Sequence, residues 1–114
     1  MSEQILDHHL SAVNEGDIEA ILEDYTDESK IINSRGIITG LDNIRDLFTT
    51  FTRDIIPTGA KFELTNKTVD SNVAYIIWNA ESAAYKIPFA TDTFLFENGK
   101  IKVQTVALIL EPKK

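Results

Sequence analysis

The chain has 114 residues, 43% hydrophobic and 25% charged, the proportions of one globular domain, expected to span residues 1–114, with a core of its own. Its net charge is −7 and its 11 lysines and arginines are scattered singly, which argues against nucleic acid and anionic membrane surfaces as partners. There is no cysteine, so disulfides, thiol nucleophiles and Cys-ligated zinc are excluded.

In chain order, Ser2 is placed to cap a first helix, whose apolar residues Ile5, Leu6, Leu10 and Val13 recur at helical spacing together with His9. His8 points about 100° away from that stripe. The two histidines therefore diverge, and with no third one in the chain a metal site is not expected. "NEGD" (Asn14 to Asp17) ends the helix at Gly16 and caps a second at Asp17, with Ile18, Ile21, Leu22 and Tyr25 on its apolar face. "KIINSRGIITG" reads as a short hairpin around Ser34-Arg35-Gly36. A third helix follows Gly40, with Asp42 or Asn43 near its cap and Ile44, Leu47, Phe48 and Phe51 inward; Pro57 breaks it. The rest is strand: Lys61 to Val69, Val73 to Ser82, Ile87 to Phe96, then Asn98-Gly99, a strong hairpin signal, and Ile101 to Leu110. Helices followed by an antiparallel meander make an α+β domain, with the helices on one face of the sheet. No apolar run approaches a membrane span and the N-terminus lacks a signal-type apolar segment, so a cytoplasmic protein is the expectation.

Within "FATDTFLF", Asp92 shares strand parity with Phe94 and Phe96. If the phenylalanines face an apolar interior, so does the carboxyl. A buried carboxyl must be partnered, protonated or used. Two readings stand: a polar residue where the strand rises toward solvent, or an acid kept neutral by apolar walls that donates to a ligand carbonyl. With Phe94, Phe96 and Trp78 around it, it is expected to be protonated at neutral pH unless a cationic His9 pairs with it. His9 is either a helix-face histidine or a base with a suitable intrinsic pKa. Trp78 serves as core or as pocket wall, and Tyr25 packs with its hydroxyl at an edge. Gln104 either faces solvent or joins Asp92 across adjacent strands.

"AVNEGDIEAILEDYTDESKIINSRGIITGLDNIRDLF", "VAYIIWNAES" and "DTFLFENGKIKVQTVALI" resemble the SnoaL-like, ketosteroid isomerase-like group of the nuclear transport factor 2 superfamily. The resemblance implies a cone-shaped, curved, mixed but mostly antiparallel sheet with three N-terminal-half helices packed over its concave face. Members include polyketide cyclases, ketosteroid isomerases, epoxide hydrolases, dehydratases and non-catalytic proteins. In the isomerases, Asp92 falls on a protonated oxyanion-hole acid, His9 on or near an oxyanion-hole tyrosine, and Asn33 on or near the aspartate base. Asparagine cannot take that proton. The arginine of the epoxide hydrolases' Arg-x-Asp is here Ala90.

The expectation is a pocket for a small apolar ligand. Asp92 and His9 are the candidate catalytic pair, and Asn33, Trp78, Gln104, Tyr25 and Phe94 the candidate ligand-binding residues. No cofactor is needed for acid–base proton transfer on an apolar carbonyl compound. The alternative is a non-catalytic binding or assembly domain of the same fold. A homodimer is expected through the outer sheet face, where Val103, Thr105, Ala107 and Ile109 point if Gln104 points in.

Overall fold

The structure, a computed structural model, describes residues 1–113. Helices α1 (Ser2–Glu15) and α2 (Ile18–Leu22) precede the hairpin β1 (Lys30–Asn33) and β2 (Gly36–Thr39). Helix α3 (Leu41–Thr50) continues into a single π-helical turn (Phe51–Ile55). Strands β3 (Lys61–Asp70), β4 (Val73–Glu81), β5 (Tyr85–Glu97), β6 (Lys100–Leu108) and the short β7 (Glu111–Pro112) complete the chain. The sheet order is β2-β1-β6-β5-β4-β3, with β7 on β5. All pairings are antiparallel except β1 with β6.

Local chemistry explains most of the boundaries. Gly16 ends α1 in the left-handed region (φ 68°), with its N–H donating to Val13 O. Asp17 caps α2 by accepting from Ala20 N at 3.1 Å. Asn98 (φ 54°) and Gly99 (φ 76°) both take positive φ between β5 and β6, the tight turn their identities predict. Two caps differ from expectation. Ser2 lies inside α1 and its hydroxyl donates to Ser71 O, fastening the helix to the β3–β4 turn. At α3 no side chain of its own caps the helix; Asp27 reaches over to accept from Leu41 N at 3.2 Å.

The sheet curves because its ladders carry bulges, and these decide which side chains face the helices. Pro88 has no N–H to give the ladder, and the register between β4 and β5 shifts beside it: Trp78 opposes Ala90 but Ala80 opposes Ile87. Between β5 and β6, Leu95 opposes Val103 while Phe96 opposes Ile101, leaving Lys102 as the extra residue. Ile101 and Gln104, three apart, are thus both buried. The concave face presents Ala74, Ile76, Trp78, Ala90, Asp92 and Phe94 to the helices. Helix α1 brings Ile5, Leu6, His9 and Ala12 onto it; Ile21, Ile44 and Phe48 come from the other two. Among the described residues no helix is long and apolar enough to cross a membrane.

Candidate functional site

Between the helices and the concave face lies a cavity of about 580 Å³, within the range of small-molecule sites. Its walls are largely apolar: Ile31, Leu47, Phe51, Ile76 and Val106 among others, with Trp78 on one flank. The π-helical turn shapes part of the rim. Ile56 N donates to Phe51 O at 2.8 Å, a five-residue step that lets both Phe51 and Ile55 line the opening.

Asp92 sits on the central strand β5 and lines the cavity. Its directly opposite neighbours are Ile76 and Val106, but its partners come from the diagonal positions of both flanking strands. Trp78 Nε1 donates to Oδ1 at 2.9 Å, and Gln104 Nε2 donates to Oδ2 at 2.8 Å. The Tyr25 hydroxyl, buried, donates in turn to Gln104 Oε1. That bond fixes the orientation of the Gln104 amide: its oxygen is occupied by Tyr25, so its N–H₂ group meets Asp92. The chain of donors runs one way, toward the carboxyl.

Burial raises the Asp92 pKa from 3.8 to about 6, and the two N–H donors pull the other way. The direction is the expected one, but full protonation at neutral pH is not reached. At pH 7 roughly nine-tenths of the carboxyl is ionised. Burial pushes the Tyr25 phenol well above its ordinary value, so it stays a donor throughout.

His9 also lines the cavity, but it makes neither hydrogen bond nor ion pair with Asp92 among the described residues. Its ring stands edge-on among Tyr25, Phe48 and Phe94, with centroids 5.4–5.8 Å away. Burial, aided by the charge on neighbouring His8, lowers its pKa to about 3. His9 is therefore neutral at pH 7 and too weak a base for the role the sequence offered it. Among the described residues its buried Nδ1 has no partner. His8, pointing outward, instead pairs with Asp24 at 2.7 Å and is held above its ordinary value by that bond.

Of the other expected site residues, Trp78, Gln104 and Asn33 line the cavity. Asn33 spends its carboxamide oxygen locally, accepting from Arg35 N at 2.8 Å in the β1–β2 turn. Phe94 and Tyr25 do not form the wall. Phe94 is wholly buried behind it, against His9 and stacked on Phe96. Tyr25 acts through Gln104 rather than by touching the cavity. Leu47, Phe51, Ile55 and Arg35 belong to the lining and were not singled out. The helical phase of Leu47 and Phe51 marked them as inward-facing, without separating core from cavity wall.

The cone fold is that of nuclear transport factor 2-like proteins. Residues 6–104 match the SnoaL-like domain model, and the chain belongs to that family. Among solved structures, it is similar to the epoxide hydrolase/cyclase-like enzyme SalBIII of pyran-ring formation in the polyether salinomycin: 22% identity, TM-score 0.80, 95% of this chain and 90% of that one covered. An NTF-2 like protein of unknown function from Burkholderia xenovorans LB400 matches at 19% identity and TM-score 0.79, covering 98% of this chain and 84% of that one. A putative ketosteroid isomerase from Kribbella flavida DSM 17836 matches at 11% identity and TM-score 0.78, covering 99% and 80%. No curated protein sequence matches at a significant level.

Proposed function

We propose that the cavity binds a small apolar carbonyl compound and that Asp92 exchanges a proton with it. One arrangement carries the reading: a carboxyl lining an apolar cavity, held on both oxygens by fixed N–H donors, with burial raising its pKa to about 6. Such a group is ionised in most molecules at pH 7, yet it binds a proton more tightly than a free aspartate. It is poised to take a proton from a carbon acid and return it. In that step Asp92 removes a proton from the carbon next to the carbonyl, and the electron pair moves onto the carbonyl oxygen as an enolate. Returning the proton to the same carbon amounts to exchange, and returning it to a conjugated carbon completes an isomerisation, with no change in oxidation level and no cofactor. Neutral His9 offers an N–H rather than a base. The likeness to structures described as a cyclase-like enzyme and a putative isomerase is consistent with proton chemistry in this kind of pocket.

The test uses β-tetralone, a bicyclic ketone with exchangeable α-protons. NMR in D₂O should show exchange above the buffer rate, rising with pH through about 6, and falling to background in Asp92→Asn. The emission of Trp78, the only tryptophan, reports occupancy. Occupancy without exchange supports the second reading, a binding domain without turnover, which is favoured by the tied amide of Asn33, the residue that the resemblance to ketosteroid isomerases sets on or near their aspartate base. No occupancy by tetralone or related ketones sinks both.

We further propose that two copies pair through the convex face. Tyr75, Ile77, Leu95, Val103, Ala107 and Ile109 point outward there, with Thr91, Thr93 and Thr105 between them and no charge in the middle rows. In a molecule of net charge −7, that uncharged centre is what a like-charged second copy tolerates. Five strands at ~4.8 Å spacing give a face of roughly 500 Å² per copy, near the lower limit for a specific interface.

A further inference from the structure

The cavity contains a second charge, and nothing in the fold uses it. Arg35 lines the opening from the β1–β2 turn. Of the cavity's lining residues, only Arg35 and Asp92 are charged at neutral pH. The chain has three arginines. Arg45 pairs with Glu19 and Arg53 with Asp54; among the described residues Arg35 makes no ion pair and its guanidinium no hydrogen bond. What sets Arg35 apart is its place on the wall of an apolar cavity, where its planar guanidinium suits bidentate recognition of a carboxylate.

The turn that carries it is well fixed. Asn33 accepts from Arg35 N, and Gly36 supplies the φ of 136° that returns the chain into β2. From Arg35 an apolar groove continues outward past Ile37, which is 64% exposed, and Phe51. Asp46 lines that groove too, without pairing with Arg35.

The sheet sets the two charges on different strands. Ile31 and Ile32 pair with Gln104 and Thr105, and the same register continued sets Asn33 beside Val106, which opposes Asp92. Two strand spacings, roughly 10 Å, thus separate the backbones of Asp92 and Asn33, and Arg35 follows two residues later in the turn.

Resting on the reading of this cavity as a carbonyl site, we propose that its ligand is an amphipathic anion: a carboxylate or similar singly charged acid group held by Arg35 at the mouth, an apolar body, and a carbonyl group further in, beside Asp92. The charged end belongs at Arg35 because the Asp92 carboxylate repels an anion, whereas the uncharged carbonyl end can turn its α-carbon C–H toward it.

The probes are 9-oxodecanoate and its methyl ester, titrated at low salt against Trp78 emission. The acid should bind about tenfold more tightly than the ester. Arg35→Gln should close that gap by weakening the acid alone, and Arg35→Lys should keep part of it. Raising the salt to about 0.5 M should narrow it in wild type only. Equal affinities of acid and ester for wild type overturn the anion assignment and leave the cavity reading standing. A gap that survives in Arg35→Gln overturns it too. If neither compound perturbs Trp78, both readings fail. Arg35 is exposed in a turn, so these variants keep the fold.

Discussion

Replacing Asp92 by asparagine tests the electrostatics of the site without a ligand. The carboxyl has a pKa of about 6 in the folded chain against 3.8 when free. Between those values the folded state holds a proton that the unfolded state has released. The group's contribution to stability is therefore fully present below pH 3.8 and is lost as pH rises through about 6. Integrated over the two titrations, the loss between about pH 4.5 and pH 7.5 is about 2 kcal/mol. Asparagine does not titrate, so wild type minus Asp92→Asn isolates this term from every other group. Urea unfolding followed by Trp78 emission at half-unit pH steps gives both curves. The variant should gain on wild type by about 2 kcal/mol across that range. Its absolute stability also reflects the Trp78 and Gln104 donors, two of them facing one amide oxygen, so the slope rather than the offset is diagnostic. Parallel curves, or a wild type that weakens relative to the variant on acidification, would refute the argument that burial outweighs the two donors.

His9 should titrate in the opposite sense. With a folded pKa of about 3 against 6.5, it favours the unfolded state as pH falls, so His9→Phe should remove about 2–3 kcal/mol of acid destabilisation between about pH 7.5 and 4.5; a His9 resonance titrating near 6.5 in the native protein would contradict this. Tyr25→Phe leaves Gln104 Oε1 buried without its donor and should cost ~1–3 kcal/mol in urea unfolding. It should also raise the Asp92 pKa, read by carboxyl ¹³C shifts, by loosening the Gln104 donor; an unmoved pKa would mean that Tyr25 does not hold Gln104 in place. Thr105→Arg, in the middle of the convex face, should yield a monomer by sedimentation at micromolar concentration, where wild type should run as a dimer. A monomeric wild type would end the dimer proposal.

The fold was legible because its signals are local: Gly16-Asp17 between two amphipathic helices, Asn98-Gly99 between two alternating runs, and Pro57 after the third helix. The inward phase of Asp92 was legible for the same reason, since Phe94 and Phe96 follow it with no bulge between. Gln104 was ambiguous for a physical cause. Counting in twos from the buried Ile101 turns Gln104 outward, and only the extra residue at Lys102 reverses the phase. Whether a ladder absorbs an extra residue depends on partner strands that the local sequence does not contain. The same limit hid the roles of Tyr25 and Phe94: apolar phase placed both inside, but which inward residues touch a cavity and which lie behind it depends on how three elements meet. Asp92 and His9 do not pair because proximity to one cavity is not contact: Trp78 and Gln104 hold Asp92, while Tyr25, Phe48 and Phe94 surround His9.

The parallel pairing of β1 with β6 has a consequence for how the chain is made. The first hairpin finds its ladder partner only at Lys100–Leu108, some seventy residues later. During synthesis from the N-terminus, β1 must wait for β6 with one backbone edge open, after β3, β4 and β5 have already been made. The four residues of the Asp92 network come from positions 25, 78, 92 and 104, so the last of them leaves the ribosome well after the first. Long-range parallel closure is slow and leaves apolar surface open to other chains. The step that makes this protein vulnerable in its birth is thus the same step that brings Gln104 to Asp92 and creates the site.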